Sequence, residues 1–377
     1  MLYEFLLPLT PYVSGFNIFR YISLRAAGAA ITALLICFVL GPMMLRWLQG
    51  LAIHQVVRKG TPDSHANKGQ TPTMGGLIIL VAVFGSTVLW MRLNSRYVWL
   101  ALVVTLLMGA IGFVDDYLKL KQKREGRENH GLVERYKLTG QVTIGLLLGL
   151  YLWQFPLNNL PGASTTLPFY KYVLIIPTIP LLYLPFVTFV MTGTSNAVNL
   201  TDGLDGLASG LIAIAMLTMA MFAYVMGRFD ASEYLQIFYL RGAGELTIFC
   251  SAVFGAAMGF LWYNAHPAQV FMGDTGSLAL GGALGAVAIL LKSEFLVLIV
   301  GGVFVAETLS VIVQRTVFKV RKRRHGVEYA RAHRVFLRAP IHHHFELKGW
   351  PESRVVVRFW ILGVLCAFLA LSTLKIR

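Results

Sequence analysis

The apolar positions of this 377-residue chain fall in long unbroken runs, not in the three-and-four spacing of a surface helix. A helix needs ~20 apolar residues to cross the hydrocarbon core of a bilayer. Ten runs approach that length, at about 24–48, 75–92, 97–115, 138–155, 172–192, 205–226, 245–263, 277–292, 295–316 and 355–374. The pattern predicts an all-α integral membrane protein of about ten transmembrane helices. Only Lys292, Ser293 and Glu294 separate the eighth run from the ninth, so a helical hairpin or one bent segment is expected there. Glycine clusters such as Gly281, Gly282 and Gly285 are expected at close helix contacts.

The polar segments supply an orientation. Loops at 49–74, 116–137, 193–204, 264–276 and 317–354 hold 20 Lys and Arg, whereas the opposite loops and both tails hold nine. The excess of basic residues predicts that these five loops face the cytoplasm and that both termini lie on the outer, periplasmic side. A formal charge of +15 would otherwise raise the question of nucleic acid, but the basic residues sit between apolar runs and form no soluble basic face, so no nucleic-acid partner is expected. A content of 56% hydrophobic and 14% charged residues leaves lipid as the solvent of most of the surface. The three cysteines, Cys37, Cys250 and Cys366, lie far apart inside apolar runs and suggest neither disulfides nor a zinc cluster. No removable signal peptide is evident, so the first span is expected to direct its own insertion. Without an internal repeat or a linker, residues 1–377 are expected to form a single polytopic membrane domain.

The chemistry concentrates in carboxylates. Of 18 Asp and Glu, five aspartates sit where a span meets a cytoplasmic loop: Asp115, Asp116, Asp202, Asp205 and Asp274. Acids at a bilayer edge need partners, because uncompensated burial costs several kcal/mol. The pair Asp115 and Asp116 is expected to close the third span, where helix carbonyls already carry partial negative charge. A divalent cation, or Lys119 and Lys121, would relieve that repulsion. In Gly-Thr-Ser-Asn-Ala-Val-Asn-Leu-Thr-Asp-Gly-Leu-Asp-Gly-Leu, from Gly193 to Leu207, a helical turn would put Asp202 and Asp205 on one face with Asn196 and Asn199 nearby. A helix-entry cap explains one such residue but not this many. Asp274 opens the eighth span in Phe-Met-Gly-Asp-Thr-Gly-Ser, and a cap is the simpler alternative there too. Its Asp-Thr-Gly turn is shared with soluble aspartic proteases, but those need two β-rich lobes. The last cytoplasmic loop carries His342, His343 and His344 in succession. Consecutive histidines cannot all converge on one zinc ion, and they make better sense as donors beside phosphate.

Carboxylates, amides, histidines and lysines on one side of a membrane describe a site for phosphate groups bridged by a hard cation, for which Mg²⁺ is the fitting choice. No Gly-Lys-Ser/Thr phosphate loop is present, which excludes a P-loop ATPase. Taken together, Thr-Pro-Thr-Met-Gly-Gly at 71–76, the Asp115-Asp116 pair, Asn-Leu-Thr-Asp-Gly-Leu-Asp-Gly, Phe-Met-Gly-Asp and Ala-Pro-Ile-His-His-His closely resemble the polyprenyl-phosphate N-acetylhexosamine-1-phosphate transferases, and the histidine segment resembles their muramoyl branch. The resemblance covers nearly the whole chain. It implies a bacterial inner-membrane enzyme with ten spans that transfers phospho-N-acetylmuramoyl-pentapeptide from UDP-N-acetylmuramoyl-pentapeptide to undecaprenyl phosphate with Mg²⁺, giving lipid I and UMP in peptidoglycan synthesis. A homodimer is an assembly it allows.

By motif position, the resemblance makes Asp274 a metal ligand and Asp115 and Asp116 the residues that handle lipid phosphate or metal. Lys68, Thr73, Lys119, Asn196, Asn199, Asp202, Asp205, Asn264 and Phe271 would serve the nucleotide, its diphosphate or the catalytic framework. His342 and His343 would contact substrate phosphate or sugar, with His344 beside them. One departure from the family pattern is a longer link at 320–338, which leaves His325 and His333 outside the expected site. The competing readings are another sugar-1-phosphate transferase of the same kind, a lipid flippase centred on Glu307 within the ninth span, and an inert scaffold. The acids lie at span ends and not at the midplane, which disfavours the second, and a scaffold leaves the five aspartates unexplained.

Overall fold

A computed structural model describes residues 1–50, 71–125, 131–158, 160–170, 172, 174–176 and 180–375. Lys68 lies outside the described residues. The chain opens with a short helix, α1 (Leu2–Leu6), and two 3₁₀ turns, then runs through α2 (Ile22–Gly50), α3 (Gly76–Trp90), α4 (Arg96–Arg124) and α5 (Glu134–Gln154). A two-residue antiparallel ladder pairing Thr165 with Ile175 leads to α6 (Tyr183–Thr201), α7 (Leu207–Met226), α8 (Phe229–Leu235) and α9 (Leu246–Asn264). After α10 (Gly273–Leu290) come α11 (Leu296–Val300), α12 (Gly302–Ala332), α13 (Ile341–Leu347) and α14 (Glu352–Ser372). Most of the ten apolar runs overlie a single helix, but the run at 172–192 includes the strand Leu174–Ile175 and becomes α-helical only at Tyr183, and the run at 295–316 is divided between α11 and α12. Six helices among the described residues are long and apolar enough to cross a membrane, carried by α2, α4, α7, α9, α10 and α14.

Helix α10 is the axis of the bundle. Its central window is 89% buried, against 22% for α2 and 33% for α14, so α10 is wrapped by protein while the other two face outward. The sequence reason is its side-chain size: Gly276, Ala279, Gly281, Gly282, Ala283, Gly285 and Ala286 keep the surface of α10 low, and neighbouring backbones come close. A Cβ at Gly281 would meet Ser195 Cα of α6 at 2.7 Å, and one at Gly282 would meet Met108 Cγ of α4 at 2.7 Å. At the start of α10 the contacts are tighter. Gly76 of α3 lies against the backbone of Gly276, and Gly112 of α4 against the carbonyl of Asp274, with no room for a side chain at either crossing. One hydrophobic cluster extends from Ala33 to Ala370 through these helices.

A separate polar anchor ties the opposite ends of α2, α3 and α9. Arg25, fully buried, makes a two-pronged contact with Glu245 (2.8 and 2.7 Å), and the Arg92 backbone N–H donates to the same carboxylate at 3.1 Å. Such pairing compensates the cost of burying both charges. The Tyr3 ring of α1 lies under both guanidinium groups, 4.8 Å from Arg25 and 4.4 Å from Arg92.

Three expectations about element ends need correcting. Helix α4 does not stop at Asp115 but continues to Arg124, because Tyr-Leu-Lys-Leu-Lys-Gln-Lys-Arg contains no breaker and is rich in good helix formers. Asp115 and Asp116 therefore lie more than two turns inside the helix, and the argument from its C-terminal carbonyls does not apply to them. The expected loop at 193–204 is mostly helix, with α6 running to Thr201. The 320–338 link is also largely helical: α12 extends to Ala332 through a kink at Gly326, whose φ of 87° is open to glycine and strained for other residues. The eighth and ninth runs are separated by a turn in which Lys292, Ser293 and Glu294 are buried, but they do not pack as a hairpin: past the short α11, α12 lies against α6 and α14.

Candidate active site

Three carboxylates meet where α4 crosses the start of α10. Oxygens of Asp115, Asp116 and Asp274 all lie within 4.8 Å of one another. The crossing at Gly112 brings them together, since it sets α4 against the first turn of α10. Gly273 has a φ of 72°, and a Cβ there would meet Asp116 Oδ2 at 2.7 Å and Thr73 Oγ1 at 2.9 Å. Thr73 thus borders the cluster. Its loop is held by backbone bonds from Phe271 N to Pro72 O (2.8 Å) and from Gly75 N to Phe271 O (2.9 Å), which also fixes Phe271 beside the site.

The three acids have different surroundings. Asp116 is buried and accepts from Asp274 N (3.2 Å), Thr275 N (2.9 Å) and Thr275 Oγ1 (2.7 Å), so it caps the first turn of α10 from outside that helix. Asp115 accepts from Leu132 N at 2.8 Å through Oδ1 and approaches Lys119 Nζ at 2.5 Å through Oδ2. Asp274 does not cap its own helix. Its Oδ2 accepts from Lys119 Nζ (2.9 Å) and Lys137 Nζ (2.7 Å), and its Oδ1 accepts from Asn199 Nδ2 (2.7 Å). Two ammonium groups thus stand among three carboxylates, which is the compensation that such a cluster requires. The donors gathered here are carboxylate oxygens, as a hard divalent cation prefers, and among the described residues no thiolate or imidazole joins them.

Other expected residues divide between this centre and its rim. Asn199 reaches Asp274 and also donates to Ser277 Oγ at 2.8 Å, whereas Asn196 turns to Gln141 Oε1 of α5 (2.7 Å). Asp202 ends α6, and Asp205 lies in the turn before α7, so the two do not share a helical face. Desolvation, with the negative charges of Asp274, Asp116 and Asp205, pushes the Asp202 carboxyl up to about 8. Asp205 is held by His266 Nδ1 (3.0 Å) and Ala268 N (3.2 Å), while its own N–H donates to Glu352 Oε1 of α14 at 2.7 Å. Asn264 is buried and braces the same turn, accepting from Gly206 N (3.1 Å) and Ser209 Oγ (3.2 Å) and donating to Val270 O (2.9 Å).

The three histidines lie on α13 in three settings. His342 is fully buried, with Nδ1 3.1 Å from Glu307 Oε1 of α12 and Nε2 pressed against Gly203. His343 Nδ1 lies 2.7 Å from Glu346 Oε2; burial outweighs that carboxylate and lowers the imidazole below its ordinary range. His344 Nδ1 accepts from Leu337 N at 3.1 Å. In the tail of α12 His333 stacks on Tyr329 at a centroid distance of 4.0 Å, and His325 lies tilted against the same ring at 4.7 Å. Sequence reasoning missed Lys137, Thr275, Gln141 and Glu352 as members of this network. Lys137 had a faint signal, as the last basic residue before the fourth apolar run.

Residues 98–292, which contain the three-aspartate centre and the Asp202–Asp205 turn, match the family described as Glycosyl transferase family 4. Over its full length the chain is 70% identical to the phospho-N-acetylmuramoyl-pentapeptide-transferase of Gemmatimonas aurantiaca, with 100% of each chain covered. Proteins of the same name from Syntrophus aciditrophicus and Desulfotalea psychrophila are 52% and 48% identical, again over 100% of each chain. The chain belongs to the phospho-N-acetylmuramoyl-pentapeptide transferases.

Proposed function

We propose that this enzyme transfers phospho-N-acetylmuramoyl-pentapeptide from its UDP carrier to undecaprenyl phosphate, forming lipid I and UMP, at the crossing of α4 and α10. The observation that carries the placement is the convergence of Asp115, Asp116 and Asp274 with Lys119 and Lys137. The oxygen-only donor set fits Mg²⁺, with Asp274 and Asp115 the ligands best placed to turn toward it and Asp116 beside them. When bound, the ion would neutralise phosphate oxygens and so lower the cost of bringing two anionic substrates together. Lys119 and Lys137, displaced from the carboxylates, are positioned to take up diphosphate charge. Asp202, Asp205, Asn264 and Phe271 form the rim offered to the nucleotide, with His343 toward the sugar phosphate.

In the direct route, an oxygen of the lipid phosphate attacks the β-phosphorus of the donor, the bond from that phosphorus to the bridging oxygen breaks, and UMP leaves with the electron pair. A phosphate monoester has its second pKa near ~6, so the attacking dianion is abundant at neutral pH without a strong base. The alternative, a phospho-enzyme on a carboxylate, is disfavoured by the hydrogen bonds that Asp116 already accepts and by the ion pair on Asp115. Isolation of an acyl phosphate on Asp115 or Asp116 in the absence of lipid acceptor would overturn the direct route.

The site's setting belongs to the same proposal: ten spans in a bacterial inner membrane, both termini outside, and the aspartate centre at the cytoplasmic face, with a homodimer as the assembly. Supporting this are the six helices long and apolar enough to cross a membrane, the helices that overlap the other apolar runs, and the distribution of Lys and Arg. The deciding experiment supplies detergent-purified protein with UDP-N-acetylmuramoyl-pentapeptide, undecaprenyl phosphate and Mg²⁺ and measures UMP. Release that is abolished by Asp274→Asn is expected; no release, or release indifferent to that substitution, rejects the proposal. UDP-N-acetylglucosamine in place of the donor tests the branch.

A further inference from the structure

Glu307 lies in the apolar N-terminal part of α12 and is fully buried, as is His342. An acid in such a place is costly unless it performs some service. The imidazole of His342 lies against it, Nδ1 3.1 Å from Oε1, close enough for an ion pair but not aligned as a hydrogen bond, and among the described residues no hydrogen bond satisfies either side chain. The other edge of that imidazole, Nε2 and Cε1, abuts Gly203, where a Cβ would collide with the ring. Gly203 follows Asp202 and precedes Asp205, in the turn whose other face is gripped by Asn264, His266 and Glu352. Glu307, His342 and Gly203 thus form a stack from α12 through α13 into the turn at the nucleotide rim. Both Glu307 and His342 lie beyond residues 98–292, in the part of the chain that the family match leaves uncovered.

We infer that Glu307 is a positioning residue: through its contact with the His342 imidazole it fixes the ring against Gly203 and thereby sets the placement of Asp202 and Asp205 for the nucleotide donor. A carboxylate packed 3.1 Å from a buried imidazole favours one ring orientation over its flip, because only a ring nitrogen is attracted to the charge. Gly203 is the complementary part, since only a residue without a side chain lets the ring edge meet the backbone. The inference deepens the proposed function and rests on the donor binding at the Asp202–Asp205 rim.

The test is a double-mutant cycle on the full chain in detergent, with Glu307→Gln, Gly203→Ala and the double variant, reading KM for the UDP-linked donor, KM for the lipid acceptor, kcat and the melting temperature. Each single variant is expected to raise the donor KM by about tenfold, the worth of one buried polar contact, with the acceptor KM unchanged. The double variant is expected to be no worse than the weaker single, because both act through one ring. Glu307→Gln preserves shape, so its melting temperature should stay close to that of the wild type; if it falls instead, Gly203→Ala still reports on the same ring from its other edge. Multiplicative effects in the double variant, an unchanged donor KM, or a loss of kcat and melting temperature without a donor KM shift would each overturn the inference while leaving the proposed function standing. A wild-type enzyme that releases no UMP would overturn the proposed function and this inference with it.

Discussion

Asp115 and Asp116 are adjacent, yet their environments give them different work. Asp116 accepts three hydrogen bonds from the first turn of α10, so an amide in its place would set an N–H against the N–H of Thr275 or Asp274. Leaving such a buried donor without its acceptor costs ~1–3 kcal/mol. Asp116→Asn is therefore expected to lower the melting temperature of the purified protein more than Asp115→Asn, although both abolish UMP release; equal melting temperatures would show that Asp116 does not cap α10. Asp202 gives a pH-dependent case. Its carboxyl is pushed up to about 8 from 3.8, so the folded protein holds a proton there that the unfolded chain has released. Stability contributed at this position is thus present at low pH and is lost as pH rises toward 8. In metal-free protein, the melting temperature of Asp202→Asn relative to wild type is expected to climb in the variant's favour between about pH 4 and pH 8 and then level; a flat difference would contradict the raised value. The aspartates were legible in the sequence because acids are scarce in an apolar chain. Lys137, Thr275 and Glu352 were not, because each is an ordinary residue until the fold sets it beside an acid 137, 159 or 147 positions away.

At the scale of elements, the centre depends on how closely α4 and α10 approach. A Cβ at Gly112 would collide with the carbonyl of Asp274, whereas one at Gly193 on α6 would meet nothing within 4 Å. Gly112→Ala is expected to destabilise the protein by ~1–3 kcal/mol through overpacking and to cut kcat by moving Asp274 away from Asp115. Gly193→Ala should be neutral or stabilising by up to ~1 kcal/mol, as in any open helix position. Thermal melts with UMP-release assays check both, and comparable effects at the two glycines would dismiss the close crossing. The apolar runs located every long helix because burial and lipid both demand apolar residues there. They misplaced the ends of α4, α6 and α12, because those helices leave the apolar layer and continue on polar sequence such as Leu-Lys-Gln-Lys-Arg, which propensity and capping allow but hydropathy does not detect.

Across the whole molecule, the polar chemistry is divided between two ends of one bundle. One end is closed by Arg25, Glu245 and Arg92 under Tyr3, where both oxygens of the Glu245 carboxylate accept hydrogen bonds; the other gathers Asp115, Asp116, Asp202, Asp205 and Asp274. Basic residues follow the same division, since the tail of α12 carries Lys319, Arg321, Lys322, Arg323 and Arg324 on the side of the aspartates. In the orientation proposed above, the positive-inside rule puts that side in the cytoplasm, where a UDP-linked donor would be supplied. Two exposed positions report the orientation directly: Phe229 at the start of α8, 64% exposed, and Leu337 in the link to α13, 50% exposed. Intact cells treated with a membrane-impermeant maleimide are expected to label Phe229→Cys and to leave Leu337→Cys untouched until the membrane is opened. Cys37 and Cys250 are buried, and Cys366, half-buried on α14, is replaced by serine in the labelling background. Labelling of Leu337→Cys in intact cells would invert the bundle and put the aspartate centre on the side opposite its donor, a result incompatible with the proposed reaction.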